Sequence, residues 1–84
     1  VNVVLPGPTR SAGVEEFVHQ LSAGQPFEAF EKEFFASVRP TSLLKRFETP
    51  EEIASLVTFV CSPLAAAITG AALRVDGGVV RACF

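Results

Sequence analysis

Apolar positions along this chain change period from one segment to the next, and each period predicts an element. Val1 to Leu5 is an apolar run rich in β-branched residues, with only Asn2 polar. Such a run suits a parallel strand covered on both faces. Pro6-Gly7-Pro8 ends it, since proline lacks a ladder donor and glycine permits a sharp turn. Ser11 is placed to cap a helix in which Val14, Phe17, Val18 and Leu21 form an i, i+3, i+4, i+7 stripe. Ser22-Ala23-Gly24-Gln25-Pro26 breaks the pattern. A second helix is expected from Pro26 to Val38, with Phe27, Phe30, Phe34 and Val38 along one face and Phe35 widening it. Glu28, Glu31, Lys32 and Glu33 mark its wet side, and Arg39-Pro40-Thr41-Ser42 reads as a linker.

Thr49-Pro50-Glu51-Glu52 is the strongest local signal: an N-cap, proline at the first helical position, and a glutamate that completes a capping box. The helix that follows carries Ile53, Leu56, Val57 and Val60 on one face. Ala54, Thr58 and Cys61 make a second face of small residues, suited to close approach of another helix. Ser62-Pro63 ends it, with a further turn through Ala67. Thr69-Gly70 leads into a last strand that stops at Asp76-Gly77-Gly78. The predicted fold is α/β: two parallel strands (1–5 and 71–76), a helical insert (11–38) and a crossover helix (50–61). A connection of that length permits parallel pairing in the right-handed sense. Two strands alone do not make a stable sheet.

Composition sharpens this picture. Eighty-four residues suffice for one small domain or a piece of a larger one. Apolar residues make up 49% and there are eight Phe, with a mean hydropathy of +0.40. That is too hydrophobic for disorder and rather hydrophobic for a free-standing small domain. Part of the apolar surface is therefore expected to meet the rest of a parent chain or a partner. A net charge of −2 with scattered basic residues argues against a nucleic-acid partner. No apolar run approaches the ~18–20 residues that span a bilayer, and no charged-then-apolar leader is visible, so no membrane partner is expected. Val1 already belongs to a strand-like run, which leads us to expect that processing or truncation removed what came before. Cys61 and Cys83 read as reduced thiols of a cytoplasmic protein rather than a disulfide framework.

Candidate chemistry is sparse. The Pro-Gly turn is first a strand terminator, but open α/β sheets bind ligands at the carboxyl ends of their strands. The capping box argues for a helix and not for chemistry, and its glutamates make that helix start a poor phosphate site. Asp76-Gly77-Gly78 reads as a turn; no histidine or second carboxylate lies close in sequence to make it a metal site. His19, the only histidine, falls opposite the apolar stripe of its helix and is expected to be an exposed bystander. The phenylalanines of the second helix read as core, and Cys61 as a small buried hydrophobe.

Taken together, several motifs resemble the C-terminal part of the short-chain dehydrogenase/reductase family. They are the strand with Asn2 leading into Pro6-Gly7, Arg46-Phe47 before Pro50-Glu51-Glu52-Ile53-Ala54, Ser62-Pro63, Ile68-Thr69-Gly70 and Val75-Asp76-Gly77-Gly78. The resemblance spans essentially the whole chain. It implies part of a Rossmann fold in which the first strand is the sixth of seven, its loop touching the nicotinamide end of NAD or NADP. By that resemblance Pro6, Gly7 and Thr9 line the nicotinamide ribose and carboxamide. Ser11 matches a position where the family usually has a threonine whose hydroxyl meets the carboxamide. Residues 12–44 correspond to the variable substrate loop, and residues 1–84 to the C-terminal part of one oxidoreductase domain. The 50–61 helix and the 71–76 strand match elements used for two-fold association, which implies a homodimer or homotetramer.

The family's Tyr-x-x-x-Lys pair cannot occur in a chain without tyrosine. The glycine-rich dinucleotide fingerprint, the Asn-Ala-Gly segment and the catalytic serine are missing too. General acid–base catalysis needs a positioned group of matched pKa, and no catalytic residue is assigned. The expectation is a C-terminal fragment of an NAD(P)-dependent oxidoreductase, inactive by itself and completed by the remainder of its parent. The alternative is a non-catalytic homo-association module derived from that fold.

Overall fold

The structure, a computed structural model, describes residues 1–21 and 24–83. Its elements run β1 (Val3–Pro6), α1 (Ala12–Leu21), α2 (Phe27–Ser37), α3 (Pro50–Val60), a 3-10 turn (Pro63–Ala65) and β2 (Ala72–Val75). The Ser22-Ala23 part of the predicted break lies outside the described residues.

The two strands pair in parallel, with Val3 opposite Ala72 and Pro6 opposite Val75. Pairing starts two residues later than the apolar run because a side chain does the ladder's work at its start. Asn2 Nδ2 donates to the Ile68 carbonyl and Asn2 Oδ1 accepts from the Ala71 N–H, each at 3.0 Å. Pro6 joins the strand without loss of a bond. The donors facing β2 are the odd-numbered Val3 N–H (to Ala71) and Gly7 N–H (to Val75), so a proline at an even position removes no bond from this ladder.

Sequence signals at the helix starts are realised. Thr49 Oγ1 accepts from Glu52 N–H at 3.2 Å while Glu52 Oε1 accepts from Thr49 N–H at 2.9 Å. Arg46 then grips the same carboxylate through two nitrogens at 2.8 and 3.0 Å. This holds Glu52 at a pKa of about 2, the Arg46 hydrogen bond being the larger cause and the Thr49 amide the next. Ser11 Oγ accepts from Val14 N–H at 3.2 Å and so caps α1.

Burial departs from the sequence expectation. Among the described residues, Val18, Phe35, Phe47 and Ala65 form the buried apolar core, and no large side chain is wholly enclosed. Phe47 is central: its ring lies 5.2 Å from those of Phe34 and Phe35 and 5.4 Å from that of Phe27. The expected α1 stripe is only partly covered, since Phe17 and Leu21 stay about three-fifths exposed, at 59% and 60%. On α3, Val57 and Cys61 are exposed, which corrects the reading of Cys61 as a buried hydrophobe. The cause is the same in both helices: α3 packs on β2 and the 3-10 turn and α1 packs on α2, and these contacts leave the side chains just named uncovered. β1 is likewise not covered on both faces, because Val3 and Leu5 are exposed. The radius of gyration is 14.9 Å, against about 12 Å for a compact domain of this length. No helix of the described residues is long and apolar enough to cross a membrane.

Candidate functional site

At the carboxyl end of β1 the chain turns through Gly7-Pro8-Thr9 and pairs briefly with the segment before α3. Glu48 N–H donates to the Pro8 carbonyl at 2.9 Å and Arg10 N–H to the Glu48 carbonyl at 2.8 Å, a parallel bridge between Thr9 and Glu48. The Thr9 hydroxyl donates to the Gly7 carbonyl at 2.9 Å and closes the turn on itself. Glycine is required at position 7 for space. A Cβ there would stand 2.7 Å from Asp76 Cα, 2.7 Å from Glu48 Oε1 and 2.8 Å from the Asp76 carbonyl oxygen.

The turn after β2 is equally fixed. Asp76 Oδ1 accepts from Gly78 N–H at 3.0 Å and Oδ2 from Val80 N–H at 3.2 Å, with Gly77 and Gly78 at φ +65° and +85°. Only glycine enters that region cheaply. The end of the helical insert closes over it: Leu43 and Leu44 N–H both donate to the Gly77 carbonyl, at 3.0 and 3.1 Å. Thr41 Oγ1 donates to the Val79 carbonyl at 2.5 Å.

Above these two strand ends opens a cavity of about 600 Å³. Its floor includes Pro6, Gly7, Thr9 and Asp76, and its walls include Val14, Phe30 and Phe34 from the insert helices. Such a volume lies within the range of small-molecule sites, and its position matches where open α/β sheets take ligands. Pro6, Gly7 and Thr9 are thus brought together on the cavity. Ser11 is not in its lining; it sits half-buried at the start of α1, its oxygen already accepting from Val14 and its hydroxyl proton free to donate. Phe30 and Phe34 line the cavity too, so the expected all-core role holds for Phe35 and not for them. Arg10, between Thr9 and Ser11, lies 3.8 Å over the Phe27 ring and pairs with Glu15, tying the turn to the first turns of both insert helices. His19 is exposed, as expected.

One residue escaped the sequence reading. Glu48 is only 3% exposed, and its Oε1 is buried without a hydrogen-bond partner. Burial pushes its carboxyl above the usual range; the Glu52 and Asp76 charges push the same way, and the Gly7 backbone and Arg46 oppose them. The fold therefore supplies the second carboxylate beside Asp76 that the local sequence lacks. The signal available was an acidic residue wedged between Phe47 and the Thr49 cap, at a position facing the protein interior. No group of three or more metal-ligating side chains occurs among the described residues.

Comparison with known proteins gives this geometry its family. A family model described as enoyl-(acyl carrier protein) reductase matches residues 1–80. The uncharacterized oxidoreductase YvaG of Bacillus subtilis is 50% identical over 86 residues, covering 100% of this chain and 33% of that protein. The uncharacterized oxidoreductase YvrD of the same organism is 45% identical, covering 96% of this chain and 32% of that protein. Among solved structures, L-sorbose reductase of Gluconobacter frateurii, complexed with NADPH and L-sorbose, superposes with a TM-score of 0.82. The identity there is 26%, covering 98% of this chain and 31% of that one. The chain belongs to the short-chain dehydrogenase/reductase family and has the partial Rossmann-like α/β fold read from its sequence. It spans about a third of the length of the curated relatives it matches.

Proposed function

We propose that this chain forms the nicotinamide-side third of an NAD(P)-dependent short-chain oxidoreductase. The observation that carries the reading is the convergence of Pro6, Gly7 and Thr9 on a largely apolar cavity at the carboxyl ends of two parallel strands. Backbone groups and hydroxyls on such a rim can orient a planar ring and its carboxamide, and the insert's aromatic wall can exclude water from it. Bound there, the nicotinamide would supply hydride transfer; this chain would position it. Ser11 completes the cofactor set through its free hydroxyl proton, and residues 12–44 act as the substrate loop. The remainder of the parent supplies the pyrophosphate-binding turn and the proton-transfer groups, so residues 1–84 alone are inactive. Exposed thiols at Cys61 and Cys83 favour a reducing, cytoplasmic setting.

The same third also carries the oligomer contacts. Val57, Phe59 and Leu64 are exposed apolar side chains on α3 and the following turn, Leu64 at 84%. They favour a homodimer or homotetramer built on α3 and β2, with like contacting like. A non-catalytic association module is the competing reading.

A chimera separates them. Residues 1–84 replace the matching third of the Bacillus subtilis relative YvaG, and binding of NADH and NADPH is measured by nicotinamide fluorescence. The expected result is saturable dinucleotide binding by the chimera and none by residues 1–84 alone. A folded chimera that binds neither dinucleotide would refute the oxidoreductase reading and leave the association module.

A further inference from the structure

Among the described residues, Glu48 is the one buried ionisable group, and the proposed function does not yet use its position. Its backbone pairs with Pro8 and Arg10, and its side chain turns inward under the same loop. Oε1 lies 2.7 Å from the point a Gly7 Cβ would occupy, a point that also falls 2.7 Å from Asp76 Cα. The carboxyl thus occupies the gap between the two strand-end turns that form the cavity floor. Its Oε1 has no donor to offset its desolvation, and the Gly7 backbone and Arg46 offset the burial of the carboxyl only in part. Three charged groups act on it from the elements packed around it: Asp76 follows β2, Glu52 stands in the first turn of α3, and Arg46 precedes Phe47. Glu31, from α2, accepts from the neighbouring Phe47 N–H at 2.9 Å. Two of the three are acidic, and Arg46 is already committed to Glu52.

We propose that Glu48 is a positioning residue for the dinucleotide loop. Its buried, unpartnered carboxyl oxygen fills the gap between Gly7 and Asp76, and its charge state sets how firmly Gly7, Pro8 and Thr9 are held against the bound dinucleotide. This rests on the proposed function. The neutral carboxyl packs in the gap without an unmet charge. Ionisation places a negative charge there beside Asp76 and drives the carboxyl toward water, which displaces the loop segment bridged to its backbone. The complex, in which the loop is held, therefore favours the protonated form. Affinity is then highest at low pH, falls as pH rises from the acid constant of the free protein to that of the complex, and is level above both. Burial raises the free-protein value above 4.5, which sets where the fall begins.

The test is equilibrium binding of NADH and NADPH to the intact oxidoreductase, read by nicotinamide fluorescence between about pH 5 and 8. Wild type is compared with Glu48→Gln, which keeps the shape of the neutral acid and cannot ionise, and with Glu48→Asp, which keeps the charge but withdraws it from the gap. All other ionisable groups are common to the three proteins and cancel in the comparison. Wild-type affinity is expected to weaken roughly three- to tenfold across its transition, the factor by which the acid constant differs between free and bound protein. Glu48→Gln is expected to bind with no such transition. Glu48→Asp, should Glu48→Gln fail to fold, is expected to show the transition displaced to lower pH. Saturable binding with superimposable wild-type and variant profiles overturns this inference alone. Absence of saturable binding at every pH overturns the proposed function and this inference with it.

Discussion

Gly7→Ala tests the geometry of the strand-end floor with the smallest possible perturbation. Gly7 is not among the residues at positive φ, so its backbone accepts an L-residue and the substitution adds only a methyl group. That methyl would meet Asp76 Cα at 2.7 Å, Glu48 Oε1 at 2.7 Å and the Asp76 carbonyl oxygen at 2.8 Å. The side-chain oxygen can swing away. The two Asp76 backbone atoms cannot, because that turn is held by the Asp76 carboxylate on one side and by Leu43, Leu44 and Thr41 on the other. Overpacking of this kind costs about 1–3 kcal/mol. Alanine returns about 0.4–1 kcal/mol by restricting the unfolded chain. A net loss of about 1–2 kcal/mol is expected, read in the intact oxidoreductase as a lower urea midpoint at unchanged slope. Adding Glu48→Ala removes one of the three close contacts and should recover less than half of the loss. An unchanged midpoint would refute the close approach of the two turns. Full recovery in the double variant would show that the pressure falls on the Glu48 side chain and not on the Asp76 backbone.

Four further outcomes are expected. Thr49→Ala removes the α3 cap and should destabilise by about 1 kcal/mol in urea unfolding. Its companion Glu52 is held at about 2 against an ordinary 4.5; a depressed carboxyl stabilises above its unfolded value, so this contribution is full above pH 4.5 and is lost as pH falls toward 2, which Glu52→Gln should abolish in acid unfolding curves. Ser11→Ala in the intact oxidoreductase should weaken dinucleotide affinity by about 0.5–1.5 kcal/mol, and an unchanged affinity would confine Ser11 to its capping role. Leu64→Asp places a charge on an 84% exposed side chain, so it should leave the unfolding midpoint of the subunit within about 0.5 kcal/mol while lowering the sedimentation coefficient through loss of association.

Local signals in the sequence specified local structure well. The capping box at Thr49, the cap at Ser11 and the turn at Asp76 each act through bonds within a few residues, and each forms where its residues stand. The length of the crossover permitted the parallel pairing that the two strands adopt. Burial was less legible because hydrophobic periodicity reports which face seeks cover, not whether cover is present. Phe17, Leu21, Val57 and Cys61 satisfy the pattern and remain exposed. Three of the four residues proposed for the dinucleotide lie on the cavity, since they sit on one short turn. Glu48 was hidden because its neighbours, Gly7 and Asp76, are remote in sequence and meet it only when the two strands pair.

The helical insert leaves and rejoins the sheet at almost one place. Its entry is stitched to the strand end by the bridge between Thr9 and Glu48, and its exit by Leu43 and Leu44 on the Gly77 carbonyl. Both knots consist chiefly of main-chain bonds, which any replacement sequence can reproduce. The insert can therefore be exchanged like a tool in a fixed socket. Once its base is tied, doubling the number of residues it spans costs only about 0.6 kcal/mol in closure entropy. Under the proposed function, selection for a new substrate can rewrite the aromatic wall, or lengthen it, while the two strand ends stay as they are.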